Sequence, residues 1–363
     1  MIGPSRQLER SATIMTAATL PSREASDWLY SPGFDRVFIL GVPALALLIG
    51  IYVVQQPDHF QWVLALNLWL LGYHHVIATF TRIAFDRQSL EESRFFVFGL
   101  PLLVFAGTLG LAYGVGVWAV STLYLYWQWF HYTRQSWGVS QVYRARAAEP
   151  PDDSPLFAKA CLYLVPTWGI LHRTWQAPSE FLGSEIWVPP TPGWLVMVVG
   201  AAAGASIVAW SWTRLQAWRQ GRLAVVHTLY MLSHFVVFIV GYRVIDDITH
   251  GWLVISVWHN AQYLLFVWLF NTRRFQGGVD ERARYLSTLS QPNHMLRYFL
   301  NGLAITTLVY GAPIFLTHDR MLLGLPVVVL LYQAVNFHHY IVDSRIWKVS
   351  KKPMRTTLGL EAS

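Results

Sequence analysis

Eight of the 13 histidines in this chain fall toward the inner half of long apolar stretches: His74, His75, His131, His227, His234, His259, His338 and His339. Imidazole is the commonest protein ligand for transition metals. Ionisable groups inside membrane-type segments are costly and tend to serve function. Other polar residues accompany the histidines at helical spacing. Ser121, Tyr124, Gln128, His131 and Gln135 share one helical face, as do Gln333, Asn336, His339 and Asp343. Ser256, His259 and Tyr263 make a third stripe with Asn260 beside it, and Asn67, His74 and Thr81 align as a fourth. Each stripe must turn inward, because lipid cannot satisfy these groups.

A cluster of neutral imidazoles suits Fe, Cu or Zn. The candidate metal ligands are His74, His75, His131, His234, His259, His338 and His339. Gln128, Asn336 and Asp343 are the expected partners that fix the tautomer of each ring. Tyr124 and Tyr263 are placed to order a bound oxygen ligand. No cysteine cluster competes, and a site with few carboxylates argues against Ca or Mg. Iron is favoured: one or two non-haem ions, with O₂ chemistry on a lipophilic substrate and an electron donor if reduction is needed. At ~1.5 Å rise per residue, His75, His131 and His339 lie roughly 5–10 Å from the inner helix ends, and His234 and His259 roughly 16 Å. This leaves one elongated site or two sites at different depths. A rival is haem b for electron transfer, with His234 and His259 as axial ligands. A third reading is a transporter whose histidines relay protons.

The elements that position these residues are long apolar helices. The 363 residues are 54% hydrophobic and only 13% charged, with 18 Trp and 17 Tyr. A soluble protein carries about a quarter charged residues, and Trp and Tyr form belts at membrane interfaces. The fold class is an all-α polytopic membrane bundle. About 20 apolar residues cross a bilayer, which predicts ten spans: Val37–Val54, Trp62–Thr81, Phe95–Leu111, Val115–Tyr132, Phe157–Trp175, Trp194–Trp212, Leu223–Tyr242, Gly251–Phe270, Tyr298–Leu316 and Met321–Val342. Ala112, Tyr113 and Gly114 read as a tight turn, and Thr133–Pro155, Gln176–Gly193 and Asn271–Arg297 as the longest loops. With both termini cytoplasmic, every Lys and Arg except Arg173, Arg243 and Arg320 falls inside, as the positive-inside rule asks. The net charge of +7 thus reflects topology, and nucleic acid is not an implied partner. Residues 1–35 read as a polar cytoplasmic tail without a signal peptide, 36–345 as the helical domain and 346–363 as a basic tail. The lone Cys161 allows no intramolecular disulfide.

The motif order resembles the Brp/Blh-type β-carotene dioxygenases, polytopic membrane proteins in which histidines of several helices hold a non-haem iron. Their third motif, Phe-Ile-His-x-x-x-His-Phe-x-Phe-Val-Trp, is similar to the stretch from Ser256 to Trp268. Their last motif matches His338, Asp343, Trp347 and Lys348. The earlier motifs match through His74 or His75 and through His131. The chain departs at Tyr263, where the family has a second histidine, and lacks the Asp of the first two motifs. The resemblance selects His338, whereas the polar face selects His339. The pairs His74-His75 and His338-His339 also resemble the histidine boxes of membrane diiron desaturases and hydroxylases. Together these features imply a multi-pass enzyme of the bacterial inner membrane that oxidises or cleaves a carotenoid, isoprenoid or acyl lipid with O₂.

Overall fold

The computed structural model describes residues 27–147, 151 and 153–360. Most of the expected N-terminal tail therefore lies outside the described residues. Ten helices of at least 20 residues run through the rest: α1 (Pro32–Gln55), α2 (Pro57–Ala84), α3 (Phe95–Gly114), α4 (Val117–Arg146), α5 (Pro155–Trp175), α6 (Gly193–Arg219), α7 (Val225–Val244), α8 (Ile248–Arg274), α9 (Pro292–Thr317) and α10 (Val327–Ile346). Seven of them, all except α4, α5 and α10, are long and apolar enough to cross a membrane. Two short hairpins, β1 (Glu180–Phe181) with β2 (Ser184–Glu185) and β3 (Met321–Leu322) with β4 (Leu325–Pro326), are the only sheet among the described residues.

Local chemistry sets the helix ends. Asp247 caps α8 by accepting from the backbone N–H groups of Thr249 and His250. Ser154 caps α5 from the residue before Pro155. Ser31 caps α1. In the first turn of α1, Asp35 is buried and accepts from the amides of Leu29, Tyr30 and Ser31 and from the Tyr143 hydroxyl.

Several expected boundaries are corrected. Met321 to Pro326 is a hairpin, turned by Leu323 and Gly324 at φ 55° and 78°, so α10 begins at Val327. The helix containing Ala112, Tyr113 and Gly114 continues through Gly114; the turn comes at Gly116, whose φ of 134° suits a residue without Cβ. The expected loop from Thr133 is helical as far as Arg146, so α4 spans 30 residues. The loop after Trp175 carries β1 and β2, and the loop after α8 carries a short helix, Arg284–Leu289.

Helix α8 is the axis of the bundle: nearly every side chain from Gly251 to Thr272 is buried, and α1, α2, α4 and α7 pack around it. Gly251 allows the closest approach, since a Cβ there would fall on the Gly241 carbonyl oxygen. By contrast α6 is peripheral, packs on α5, and exposes Trp194, Met197, Val198, Val208 and Trp212. Such an apolar outer surface suits lipid. The last described helix, Lys352–Leu358, packs on the bundle, with Met354 and Leu358 buried. Arg273 donates to the carbonyls of both Leu358 and Leu29, tying this helix to the start of α1.

Candidate metal centre

Four helices bring four imidazoles together. His75 of α2 and His339 of α10 face each other with Nε2 atoms 3.1 Å apart. One nitrogen each of His75, His131 and His339 lies within 4.8 Å of the others. The ring of His259 on α8 stands 5.0 Å from that of His131 and 5.4 Å from that of His75, centre to centre. Asp343 joins them: its Oδ2 is 3.9 Å from His131 Nε2 and 3.8 Å from His339 Nε2. All five side chains are buried.

These residues fit a cation. Two nitrogens bound about 2.0–2.1 Å from one metal stand about 3 Å apart at neighbouring positions, the separation of His75 and His339. Neither nitrogen of His259 has a hydrogen-bond partner, nor does Nε2 of His131. An unmet buried polar group costs about 1–3 kcal/mol, so several in one small volume ask for a shared positive charge.

The centre is braced from behind. Thr79, one turn after His75, lies 3.0 Å from His339 Nδ1 and 3.1 Å from Asp343 Oδ1. This leaves His339 Nε2 to face inward. The Tyr263 hydroxyl donates to Asp343 Oδ1 at 2.7 Å, lies 2.5 Å from the Thr79 hydroxyl and accepts from the Trp347 indole at 2.8 Å. Tyr132 packs on His259 with ring centres 4.2 Å apart, and Tyr340 on His131 at 4.6 Å. The helical stripes do not single out Thr79, Tyr132 or Tyr340, and Trp347 enters only through the last motif of the resemblance. The i+4 spacing from His75 would have found Thr79.

The remaining candidates lie apart, each for a physical reason. In α2 a π-helical turn, Leu68–Gly72, adds a residue to the register. It puts His75, rather than His74, on the inner face with Asn67, which donates to Ser256 at 3.3 Å. His74 instead bonds the Leu70 carbonyl and covers Gly302. His338 bonds the Phe96 carbonyl at 2.6 Å and stacks on Phe80, so of the pair it is His339 that joins the group. His234 is engaged at both nitrogens, by the Ser136 hydroxyl at 2.7 Å and the Leu162 carbonyl at 2.9 Å. That carbonyl is free because Pro166, four residues on, has no N–H to give it. His234 is thus a repair of the proline break, not an axial partner for His259. Gln128 donates to Tyr124 at 2.7 Å and Asn336 to the Tyr332 carbonyl at 2.8 Å, so neither amide holds a ring of the group. Tyr124 sits one layer out, its hydroxyl 3.0 Å from that of Tyr332.

The expected depth difference disappears with the helix boundaries. His131 and His259 are each fifteen residues from the C-terminal ends of α4 and α8, about 22 Å. One group therefore replaces two levels.

Two small spaces reach the group, and a larger one lies a layer further out. A cavity of about 810 Å³, almost wholly apolar, runs beside α2 and is lined by Leu64, Ile77, Phe80, Phe105, Ile305 and Val329 among others. A chamber of about 20 Å³ lined by His75, Gln128, Ser256 and Asn260 shares Leu68, Tyr73, Tyr124 and Tyr332 with that cavity. On another side a space of about 70 Å³ reaches His131 and Asp343 past Arg134, Gln135 and Trp347.

Comparison with protein families, with curated proteins and with solved structures finds no match for this chain. Its functional reading rests on the centre itself.

Proposed function

We propose that this protein is a membrane metalloenzyme that uses a histidine-ligated non-haem iron centre to oxidise or cleave a lipophilic substrate with O₂. The single observation that carries the reading is the convergence of His75, His131 and His339, nitrogens within 4.8 Å, in the buried interior of an apolar helical bundle. His259 and the Asp343 carboxylate complete the donor set. Iron, when bound, supplies the site at which O₂ is activated; a mixed imidazole and carboxylate set with room for further ligands is typical of such sites.

The chain's own residues do the positioning. Thr79 holds the His339 ring through Nδ1, and Tyr263 and Thr79 hold the Asp343 carboxylate through Oδ1, leaving Oδ2 toward the histidines. The apolar cavity offers a lipid chain, carotenoid, isoprenoid or acyl, a place one layer out from the centre. The space past Arg134 and Trp347 is the side from which O₂, protons or an electron donor would approach. In the resemblance to Brp/Blh-type dioxygenases, His259 and Trp268 stand at motif positions in α8 and Asp343 and Trp347 around the end of α10, while His338, the histidine of the last motif, bonds the Phe96 carbonyl and leaves its place to His339. In this reading all ten long helices span the bacterial inner membrane, with both termini cytoplasmic.

The test is elemental analysis and absorption of detergent-purified protein. We expect iron at one or two per chain, no Soret band, and loss of iron in His131→Ala and His339→Ala. A Soret band, or iron that persists in both variants, overturns the proposal.

A further inference from the structure

We infer that the small chamber bordered by the apolar cavity and His75 binds the hydroxyl end of a long-chain lipid alcohol. This rests on the proposed function and names its substrate class.

The position comes first. Leu68, Tyr73, Tyr124 and Tyr332 line both the cavity and the chamber, and His75 lines the chamber and not the cavity. A molecule in the cavity therefore meets the chamber before it meets the metal centre. Two of the shared residues, Tyr124 and Tyr332, are joined hydroxyl to hydroxyl at 3.0 Å.

The chamber's polarity then selects the end group. Gln128 and Asn260, only 1% and 2% exposed, each spend one end of the amide, on the Tyr124 hydroxyl at 2.7 Å and the Ser256 hydroxyl at 3.1 Å. The other end of each, Oε1 and Oδ1, has no partner. Two unmet acceptors call for a donor, and a plain hydrocarbon end brings none. Among the described residues no Asp, Glu, Lys or Arg lines the chamber. The chamber's side chains would give a carboxylate or phosphate end no counter-charge, and desolvating such an end costs far more than desolvating a neutral group. A volume of about 20 Å³ holds a group the size of a water and nothing as large as a sugar or phosphate. A neutral, compact donor is a hydroxyl. The cavity supplies the rest: it follows α2 from Leu64 to Ala84, about 30 Å, with apolar walls suited to a long chain.

The test uses full-length, iron-loaded protein in nanodiscs. Binding of cetyl alcohol, n-hexadecane and palmitate is compared, each referenced to its partitioning into protein-free nanodiscs. We expect the alcohol to bind roughly ten-fold tighter than either of the others, the scale of one or two net hydrogen bonds. We expect that preference to vanish in Gln128→Leu and in Asn260→Leu, with iron content unchanged. Equal binding of alcohol and hydrocarbon by the unaltered protein, or a preference for palmitate, overturns the inference whatever the variants do. A preference that survives both substitutions overturns it too, as it places the hydroxyl elsewhere. Iron content separates this failure from that of the proposed function: protein that holds iron and shows no preference refutes the chamber alone. Protein that prefers the alcohol without holding iron refutes the metal reading alone.

Discussion

Two sets of buried histidines share one bundle and differ in what their nitrogens meet. His74, His338 and His234 give nitrogens to the carbonyls of Leu70, Phe96 and Leu162, and His227 lies 3.1 Å from the Ser140 hydroxyl. Each has an ordinary partner from a neighbouring turn or helix. His75, His131, His259 and His339 have chiefly one another and Asp343. Burial is the same in both sets, so burial does not distinguish a ligand from a packing residue. The pairing of the nitrogens does. Where the backbone offers a free carbonyl, as Pro166 forces at Leu162, a histidine is structural. Where the nitrogens meet chiefly other imidazoles and one carboxylate, the arrangement suits a shared cation, as the proposed function requires.

The sharpest way to break this contrast is to remove one member of each set. His339→Ala should lower iron affinity by more than the ~10–100-fold that losing an outer partner costs. His234→Ala should keep its iron and lose stability instead, by roughly 1–3 kcal/mol, because the Leu162 carbonyl and Ser136 are left unpaired. Iron per chain and denaturant unfolding in detergent, measured on both variants, check the two halves. Iron loss in His234→Ala with full stability would erase the distinction.

A smaller effect separates the true outer partners from the expected ones. Thr79→Val keeps the side-chain shape but removes the hydroxyl that holds His339 and Asp343. Iron affinity should fall ~10–100-fold. Asn336→Leu, whose amide meets only the Tyr332 carbonyl, should leave iron affinity unchanged. Competition with a chelator of known affinity measures both. Equal losses would mean that the whole polar layer, and not the Thr79 hydroxyl, sets the site.

These residues also show how far the chain can be read without coordinates. Composition and helical periodicity yield an all-α membrane-type bundle, because an apolar environment leaves the backbone few other options. The stripes through His131, His259 and His339 need nothing more than a regular 3.6-residue turn, and they meet. The stripe through α2 fails at one point. Counting by seven from Asn67 reaches His74, but the π turn Leu68–Gly72 carries the inner face on to His75 and Thr79. No residue type in Leu68 to Gly72 announces such a turn. Depth was illegible for a similar reason. Gln135 to Arg146 is polar enough to suggest a loop, yet continues α4 because Ser136, Val139, Ser140 and Tyr143 bury against neighbouring helices. The role of His234 was legible in principle, since Pro166 announces a free carbonyl, but which residue meets it is a fact of packing between α5 and α7.

The smallest expected effect lies outside both histidine sets, and it tests whether the loop after α2 holds that helix in place. Asp86 follows the last turn of α2, pairs with Arg274 at the end of α8 at 2.6 Å, and accepts from Ser89. Burial pushes its carboxyl up, but the Ser89 hydroxyl and the Arg274 guanidinium outweigh it and hold the group below the ordinary value of 3.8. The sign follows from linkage. A depressed folded-state pKa adds stability that is complete above the ordinary carboxylate range and is lost as pH falls through the lower folded value. Arg274→Gln removes the charge that depresses it. The acid limb of the stability curve should then begin at higher pH, nearer 3.8, with a loss at neutral pH of no more than about 1 kcal/mol. Thermal unfolding across roughly pH 3 to 7, where a carboxylate titrates, measures it. An acid limb that does not move would show that Ser89 alone holds Asp86, and that α2 and α8 are joined at this end by packing and not by charge.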